Sequence, residues 1–566
     1  MTTADRKRQI RKRKRLLFAA AALAVIAGVW LIYRITPSKR RMDGAVYFGV
    51  EEDGIGIAVN GQLTGSTGKM IGGRRYLDAA SASCANPSVF YDEAENKLIV
   101  TTPTEKYVFS HEEHTAPGGD VIWQDGEVYV ALSYLETVTG ASFLCFPDPE
   151  RIVVENRADT VKETFSEAAP VRYRAGIKSP VLTICEAGTE VYVTDVAADG
   201  EGTEGKIKGW THVCTEDGYA GYVQDRFLTD PEEKKSVYEN PAGEYTSLRL
   251  EEPVNMVFHQ TTDQASNDAL GRSIEGISGV NVIAPTWFFL DGEDGSVRSL
   301  ASRTYVETAH AAGLKVFAVF NDFDGSVASA KATAAALSSD TGRTRIVDAV
   351  MEGIRTSGAD GLNLDVELIT RDSAPCYLQL IREFSAVCRN AGVILSVDNY
   401  VPRFTPYYNR TEQARVADYL VVMCYDEHEA GSENAGSVSS LPFVRKGIED
   451  TVAQAGAERT IAALPFYTRL WETDSSDKTT SRAFGMSAAA ERMKELGMEA
   501  AWDEKTSQNY AEKKADGTTY RIWVEDAASI EEKMKVVREL SIAGVAEWKL
   551  GLETQDIWDV ISGNLS

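Results

Sequence analysis

The sequence predicts an α/β chain that ends in a (β/α)8 TIM barrel, with two small mostly β modules before it and one apolar helix at its N-terminus. Three observations carry this reading. From about residue 250, eight apolar runs of β type alternate with helix-length connections: "VNMVFHQ", "VNVIAPTWFFL", "KVFAVFND", "GLNLDVE", "VILSVDNYVP", "YLVVMCYDEH", "TIAALPFYTRLW" and "GVAEWKLG". Eight such repeats in about 315 residues have the size and rhythm of a closed barrel of parallel strands. Between residues 44 and 229 the runs are shorter, alternate apolar with polar, and break at Gly and Asp-Asn, the pattern of strands joined by tight turns. Residues 16–35, "LLFAAAALAVIAGVWLIYRI", are apolar over a length that crosses a hydrocarbon layer of ~30 Å at ~1.5 Å per residue.

The basic segment 1–15 precedes that helix. Eight Lys or Arg lie before the apolar run and four at or after its end, an asymmetry that predicts a cytoplasmic N-terminus and everything from about residue 40 outside. A cleaved signal peptide is the alternative. Its apolar region is ~7–15 residues with a small-residue cleavage site behind it, whereas Trp30, Tyr33 and "SKRRM" follow here, so an uncleaved anchor is expected. The formal charge of −25 is unevenly placed: residues 1–41 hold twelve Lys or Arg against one Asp, a net of +11, which leaves −36 for the rest. An acidic body argues against a groove for nucleic acid and bears mainly on solubility.

Seven cysteines are few and odd in number, and none forms a CxxC pair. An exported chain of this length has core enough without disulfides. Cys185 and Cys214 fall in one small module, where two buried thiols are expected rather than a bridge. The "HEEH" at 111–114 spaces two imidazoles as metal ligands are spaced, but no third ligand is near, and a solvated loop is the better reading. No metal and no cofactor is expected.

Residues 44–157 hold "GIGIAVNG", "NKLIVTT", "KYVFS", "EVYVALSYLE" and "RIVVEN", with a short helix at "LSYLETVTG". The pattern "YVALSYLE…TGASFLCFPDPERIVVEN" resembles the copper-amine-oxidase-N-like modules of bacterial envelope proteins, which implies a spacer or binding role without copper chemistry. Residues 158–168 read as a linker. In 169–229 the string "GWTHVCTEDGYAGYVQDRFL" is similar to bacterial SH3-like domains, with Asp217-Gly218 as the hairpin turn. A small spacing barrel and a wall-binding module both stand as readings of it. The acidic linker "DPEEKKSVYENPAGEY" leads to the barrel, 250–566, whose long connection at 472–526 holds a helix and "DGTTYRIWVED", an inserted hairpin.

Active sites of such barrels sit at the C-terminal strand ends. Those ends are unusually polar and aromatic here: His259-Gln260, Thr286-Trp287, Asn321-Asp322, Glu367, Asp398-Asn399, Tyr425-Asp426, Tyr467 with Arg469, and Trp548. The fourth run is the most telling. Leu362, Leu364 and Val366 point one way from an extended strand, and Asn363, Asp365 and Glu367 the other. A central parallel strand is apolar on both faces. Burying two carboxylates together costs roughly several kcal/mol unless protons and hydrogen bonds are shared. Close like charges raise one pKa, which makes a proton donor available near neutrality.

"DGLNLDVE" matches the Asp-Gly-x-x-x-Asp-x-Glu signature of glycoside hydrolase family 18, the chitinase-like hydrolases. "MCYDEH" on the sixth strand, "LPFYTRLW" on the seventh and "GVAEWKLGLE" on the eighth resemble the family's later motifs in order and spacing, so the resemblance spans about 250–566. It is closest to the bacterial cell-wall and spore branch of N-acetylglucosaminidases. Two departures stand out. Asn363 replaces the Asp of many chitinases, which leaves Asp365 and Glu367 as the working pair, and "FNDFD" replaces a Ser-x-Gly-Gly run, which points away from chitin itself.

The resemblance implies a membrane-anchored, extracytoplasmic hydrolase of β-1,4-linked N-acetylglucosamine-containing glycans, peptidoglycan or chitin-like, by substrate-assisted retaining catalysis. Family 18 is an exception to the two-carboxylate rule because the substrate's acetamido oxygen is the nucleophile. On this pattern Glu367 protonates the leaving oxygen and then activates water, Asp365 holds the acetamide N–H, and Tyr425 donates to the acetamide oxygen. Trp548 floors the −1 subsite, and Asn363, Asp426, Tyr467, Arg469 and Trp287 are further substrate contacts. The rival reading is a lectin-like barrel that binds wall glycans without turnover; such chains lose the Glu or the Tyr, and both are present here. A metal-dependent deacetylase needs a His-x-x-x-His pair near an Asp, which this sequence lacks.

The full-length chain is expected to fractionate with membranes. N-terminal sequencing of the recovered protein checks this: a mature start near residue 30–40 means cleavage and removes the anchor.

Overall fold

The computed structural model describes residues 3–50, 54–111, 119–155, 159–194, 206–229, 232–235 and 245–565. The chain forms two compact units, one of residues 1–86 with 114–241 and one of residues 87–113 with 242–566.

The first unit begins with the helix Thr3–Ile35, in which Lys12–Ile35 is long and apolar enough to cross a membrane and is not buried in the protein. A seven-stranded sheet follows. It joins Gly54–Val59 to Glu150–Val154 in parallel, so the two ends of this segment lie side by side. A second sheet holds the strands of residues 159–235. Its strand Asp159–Thr164 occupies the stretch read as a linker and pairs with Glu190–Val193 and Glu232–Lys235. Cys185 and Cys214 are buried in this sheet. Of "HEEH", His111 is described and the remaining three residues lie outside the described residues.

The second unit is the barrel. Its eight parallel strands are β1 (Val254–His259), β2 (Val282–Leu290), β3 (Lys315–Asn321), β4 (Gly361–Asp365), β5 (Ile394–Tyr400), β6 (Tyr419–Met423), β7 (Thr460–Pro465) and β8 (Gly544–Trp548). Each pairs with the next, and β8 closes on β1 through Val254↔Gly544 and Met256↔Ala546. The connections carry α1 (Arg303–Ala311), α2 (Asp340–Ser357), α3 (Ala374–Ala391), α4 (Arg410–Val416), α5 (Leu441–Ala455) and α6 (Ala527–Leu540), and α7 (Ile557–Leu565) follows β8. Local sequence starts and stops these helices. Ser302, Ser339 and Ser440 accept the N–H three residues on at α1, α2 and α5, and Asp526 with Ser529 forms a reciprocal cap at α6. Gly358 and Gly392 end α2 and α3 in the left-handed conformation that favours glycine.

Alternation sorts the core into two layers. Val254, Met256, Phe258, Phe317, Val421 and Ile461 fill the barrel interior, while Leu362, Leu364, Val366, Val397 and Val545 face the helix ring. Gly361 is required where β4 begins, because a Cβ there would lie 2.5 Å from the Phe317 ring. Between β7 and α6 the chain inserts a five-stranded antiparallel sheet and the helix Met486–Leu496. Its strands Gln508–Ala515 and Thr518–Val524 are the expected hairpin. The buried pair Lys533–Glu525, 2.6 Å apart, ties this insertion to α6.

The stretch 44–157, read as one module, is divided between the two units. Strands Val89–Asp92, Lys97–Thr101 and Lys106–Ser110 form a sheet that belongs to the barrel unit and lies on α2 and α3. Arg343 on α2 has no exposed surface and donates to Asp92 at 3.1 Å and to Glu383 at 3.0 Å. Lys106 meets Glu383 at 2.9 Å and Asp340 at 2.6 Å, and Gln379 donates to Thr101 at 2.9 Å. These polar contacts give the interface a set geometry, since guanidinium and carboxylate groups bond along set directions. Asp92→Ala removes one partner of a buried charge and is expected to cost about 3 kcal/mol. Glu352→Ala, at an exposed pair on the same helix, is expected to change nothing measurable. Urea unfolding of the two variants checks this, equal midpoints arguing against a stabilising role for the buried Arg343–Asp92 pair.

Candidate active site

β4 supplies the inward row. Asp365 ends the strand, and Glu367 stands on the loop just beyond it. Asp322, one residue past β3, fixes that loop: its carboxylate accepts the Glu367 N–H at 2.9 Å and the Leu368 N–H at 3.1 Å, and Thr333 donates to it at 2.7 Å. The Tyr400 hydroxyl, at the end of β5, donates to Glu367 Oε2. Deeper in the row, Asn363 Nδ2 donates to Ser396 Oγ at 3.0 Å and to Asp398 Oδ1 at 2.7 Å.

The charges acting on these groups are mostly other acids. Burial, then the charges of Glu367, Asp398 and Asp322, push the Asp365 carboxyl well above the usual carboxylate range. Burial pushes Glu367 up to about 7; the Tyr400 hydrogen bond works against the shift, and Asp322 and Asp426 add to it. Burial pushes Asp398 up to about 8, against the bond from Asn363. Such a cluster takes up and releases protons as a unit. A carboxyl that titrates near 7 at a cleft mouth is suited to give a proton and take one back.

Tyr425 follows β6 on the inward face, as alternation from Tyr419 and Val421 requires. Burial and the charges of Asp365 and Asp398 keep its phenol protonated, so it is a donor. Asp426 adopts φ +55°, a left-handed conformation that Asp tolerates better than most residues, and accepts from the Tyr467 hydroxyl at 2.6 Å. Tyr425 and Tyr467 meet edge to face at 6.2 Å. Arg469, two residues further along the same strand, donates to Ser481 at 3.4 Å. Trp548, half-buried at the end of β8, packs on the apolar interior with its ring 5.5 Å from that of Phe258, and the Trp548–Lys549 peptide is cis.

Trp287 does not belong to this group. It was expected to touch substrate because it was counted among the polar and aromatic strand ends, but it is fully buried in the layer between barrel and helices. Its indole N–H donates to Asn267 at 2.8 Å and its ring meets Tyr305 edge to face. The alternation of β2 explains this: Val282 and Ala284 point inward, so Ile283 and Trp287 point out. Three residues given no role by the sequence reading are central. Asp322 and Asp398 stood among the polar strand ends, but nothing local shows that one clamps the Glu367 loop and the other reaches Asn363. Tyr400 had a usable signal, since it lies two and four residues beyond Asp398 and Ser396 on one strand face.

Residues 302–553 match the model of the glycosyl hydrolases family 18. The chain is 27% identical over 224 residues to the Bacillus subtilis protein YdhD, covering 38% of this chain and 53% of that protein. It is 24% identical over 243 residues to the Bacillus subtilis cortical fragment-lytic enzyme, covering 40% of this chain and 54% of the relative. The chain thus spans about half the length of these two relatives. Among solved structures, the Bacillus cereus spore cortex-lytic enzyme SleL superposes with a TM-score of 0.51 at 18% identity, over 56% of this chain and 75% of SleL, a likeness of fold. With eight parallel strands closed into a barrel and a family match that covers the carboxylate row of β4, the C-terminal part of this chain carries a glycoside hydrolase domain of family 18.

Proposed function

We propose that the barrel hydrolyses β-1,4-linked N-acetylglucosamine-containing glycans, peptidoglycan or a chitin-like polymer, by a substrate-assisted retaining mechanism. The observation that carries this reading is Glu367: a carboxyl pushed up to about 7, bonded to Tyr400 and next inward on β4 to a buried Asp365. Protonated Glu367 gives its proton to the leaving glycosidic oxygen while the substrate's acetamido oxygen attacks the anomeric carbon. Asp365 accepts the acetamide N–H and balances the oxazolinium charge, and the Tyr425 phenol donates to the acetamide oxygen. Glu367, now a carboxylate, takes a proton from water, which opens the oxazolinium with retention. Trp548 offers a ring face to the apolar side of the sugar, and Asp426, Tyr467 and Arg469 line the β6–β7 side. The names of the cortical fragment-lytic relative and of SleL favour a wall glycan. The N-terminal helix serves as an anchor that leaves the barrel outside the cytoplasm, and the two small β sheets act as envelope modules of copper-amine-oxidase-N-like and SH3-like type.

Mass spectrometry of muropeptides after digestion with the chain from Asp43 onward tests the reading; new N-acetylglucosamine reducing ends are expected. Retained glycan binding with no new ends replaces it by the lectin-like alternative. Glu367→Gln is expected to lower turnover by ~10²–10⁴-fold, with binding and circular dichroism intact.

The same substitution tests the burial of the acid. Folded Glu367 holds its proton up to about pH 7, above its ordinary value of 4.5. The folded state therefore loses stability relative to the unfolded chain as pH rises between those values. Above pH 7 Glu367→Gln is expected to be more stable than wild type by roughly 1–3 kcal/mol, read from urea unfolding at pH 5 and pH 8. A variant no more stable at pH 8 than wild type argues against the buried acid.

Tyr400→Phe removes a bond that favours the carboxylate. The loss of rate as Glu367 deprotonates is then expected to move to higher pH, and a pH–rate profile that does not move excludes this role for Tyr400.

A further inference from the structure

Two buried oxygens in the β4 row meet no donor: Asn363 Oδ1 and Asp365 Oδ1. Buried polar atoms are nearly always paired. The Asn363 amide nitrogen is already engaged with Ser396 and Asp398, and a carboxylate has no proton to offer. Asp398 is the next inward group of β5. The pairs Asn363↔Ser396 and Leu364↔Val397 place it beside Asp365 in register, on the same face, with parallel strands ~4.8 Å apart. It is 4% exposed. As a carboxylate it adds a further acceptor beside two unpaired oxygens; as a carboxylic acid it offers one of them a donor from the neighbouring strand.

We propose that Asp398 is a positioning residue that is protonated at neutral pH, accepting from Asn363 through Oδ1 and donating its own O–H to Asp365 Oδ1, so that one negative charge of fixed orientation is left on Asp365. The catalytic consequence rests on the glycosidase reading. Asn363 then has a purpose: its amide selects the oxygen of Asp398 that accepts and leaves the other to carry the proton. The groups that face Asp398 agree with a neutral acid. From β4 these are Asp365, beside it in register, and Glu367, whose charge once ionised favours the protonated form of Asp398. Tyr425 beyond β6 and Tyr377 of α3 stay protonated phenols and bring no charge. Burial holds the Asp398 proton up to about pH 8. Above that, Asp398 ionises, Asp365 loses its donor and gains a like charge as neighbour.

The test has two independent arms. Infrared spectra of wild type and Asp398→Asn, taken at pH 7 in heavy water, are expected to differ by one protonated-carboxyl C=O band that fades in wild type as pH rises to 9. A difference made of carboxylate bands overturns the proposal. In the kinetic arm, Asp398→Ala is expected to lower kcat at least about tenfold, the worth of one charge-assisted hydrogen bond, with KM within about twofold. Asp398→Asn, a permanent neutral donor, is expected to recover most of that loss. It should also reduce the alkaline fall of kcat/KM from a two-proton to a one-proton slope, because only Glu367 then ionises. If Asp398→Asn is as impaired as Asp398→Ala, the residue acts as a carboxylate and the proposal is wrong. Absence of turnover by the wild-type protein removes the glycosidase reading but leaves the infrared arm to decide on Asp398.

Discussion

The site depends on carboxyl groups held in a poorly solvated barrel mouth with one another as nearest charges. Desolvation is the first cause of the upward shift at Asp322, Asp365, Glu367 and Asp398. A barrel interior filled by Val, Ile, Phe and Ala supplies that environment. The same residues on an open surface would all be ionised at neutral pH. Here they differ in proton affinity through depth and partners: Glu367, at the rim, has a tyrosine donor, whereas Asp365 sits below it with one oxygen unpaired.

The neighbouring strands hold this arrangement in place. Asp322 fixes the backbone under Glu367 with two N–H bonds, so the acid stands on a braced turn rather than a free loop. Tyr467 spans from the start of the insertion to Asp426 beyond β6, and the Glu525–Lys533 pair holds the insertion against α6. On the outer side, Arg343 joins α2 and α3 to a small sheet that arrives from much earlier in the chain. Each of these is a polar contact of set direction, which fixes geometry more sharply than apolar burial does.

Period-2 alternation reads the barrel well because the two layers of its core differ so little in apolarity that any inward polar residue stands out. Asn363, Asp365 and Glu367 stood out for that reason, with Asn363 and Asp365 at inward positions of β4 and Glu367 just beyond it, whereas Tyr425 and Trp548 were singled out by their places at strand ends and by the family resemblance. The same rule also places Trp287 outside. The sequence reading went wrong there by weighing proximity to a strand end above the face, and a buried indole whose N–H meets Asn267 is the outcome. Asp398 and Asp322 were visible as polar strand ends, but their partners lie 35 and 45 positions away in the chain. No local pattern reports which side chain a strand neighbour will meet.

The amino-acid sequence by itself determined the repeat of strands and helices, the apolar N-terminal helix, the inward row of β4 and the family signature. All of these are written in local periodicity and composition, which act over a few residues. Tertiary structure alone decided that residues 87–113 join the barrel unit, that Asp322 clamps the Glu367 turn, and that Asp398 lies against Asn363. These depend on strand order and register, which bring distant segments within hydrogen-bond reach only after the barrel has closed. The proton affinities are decided at the same level, because desolvation is a property of the packed mouth and not of any carboxyl that lines it.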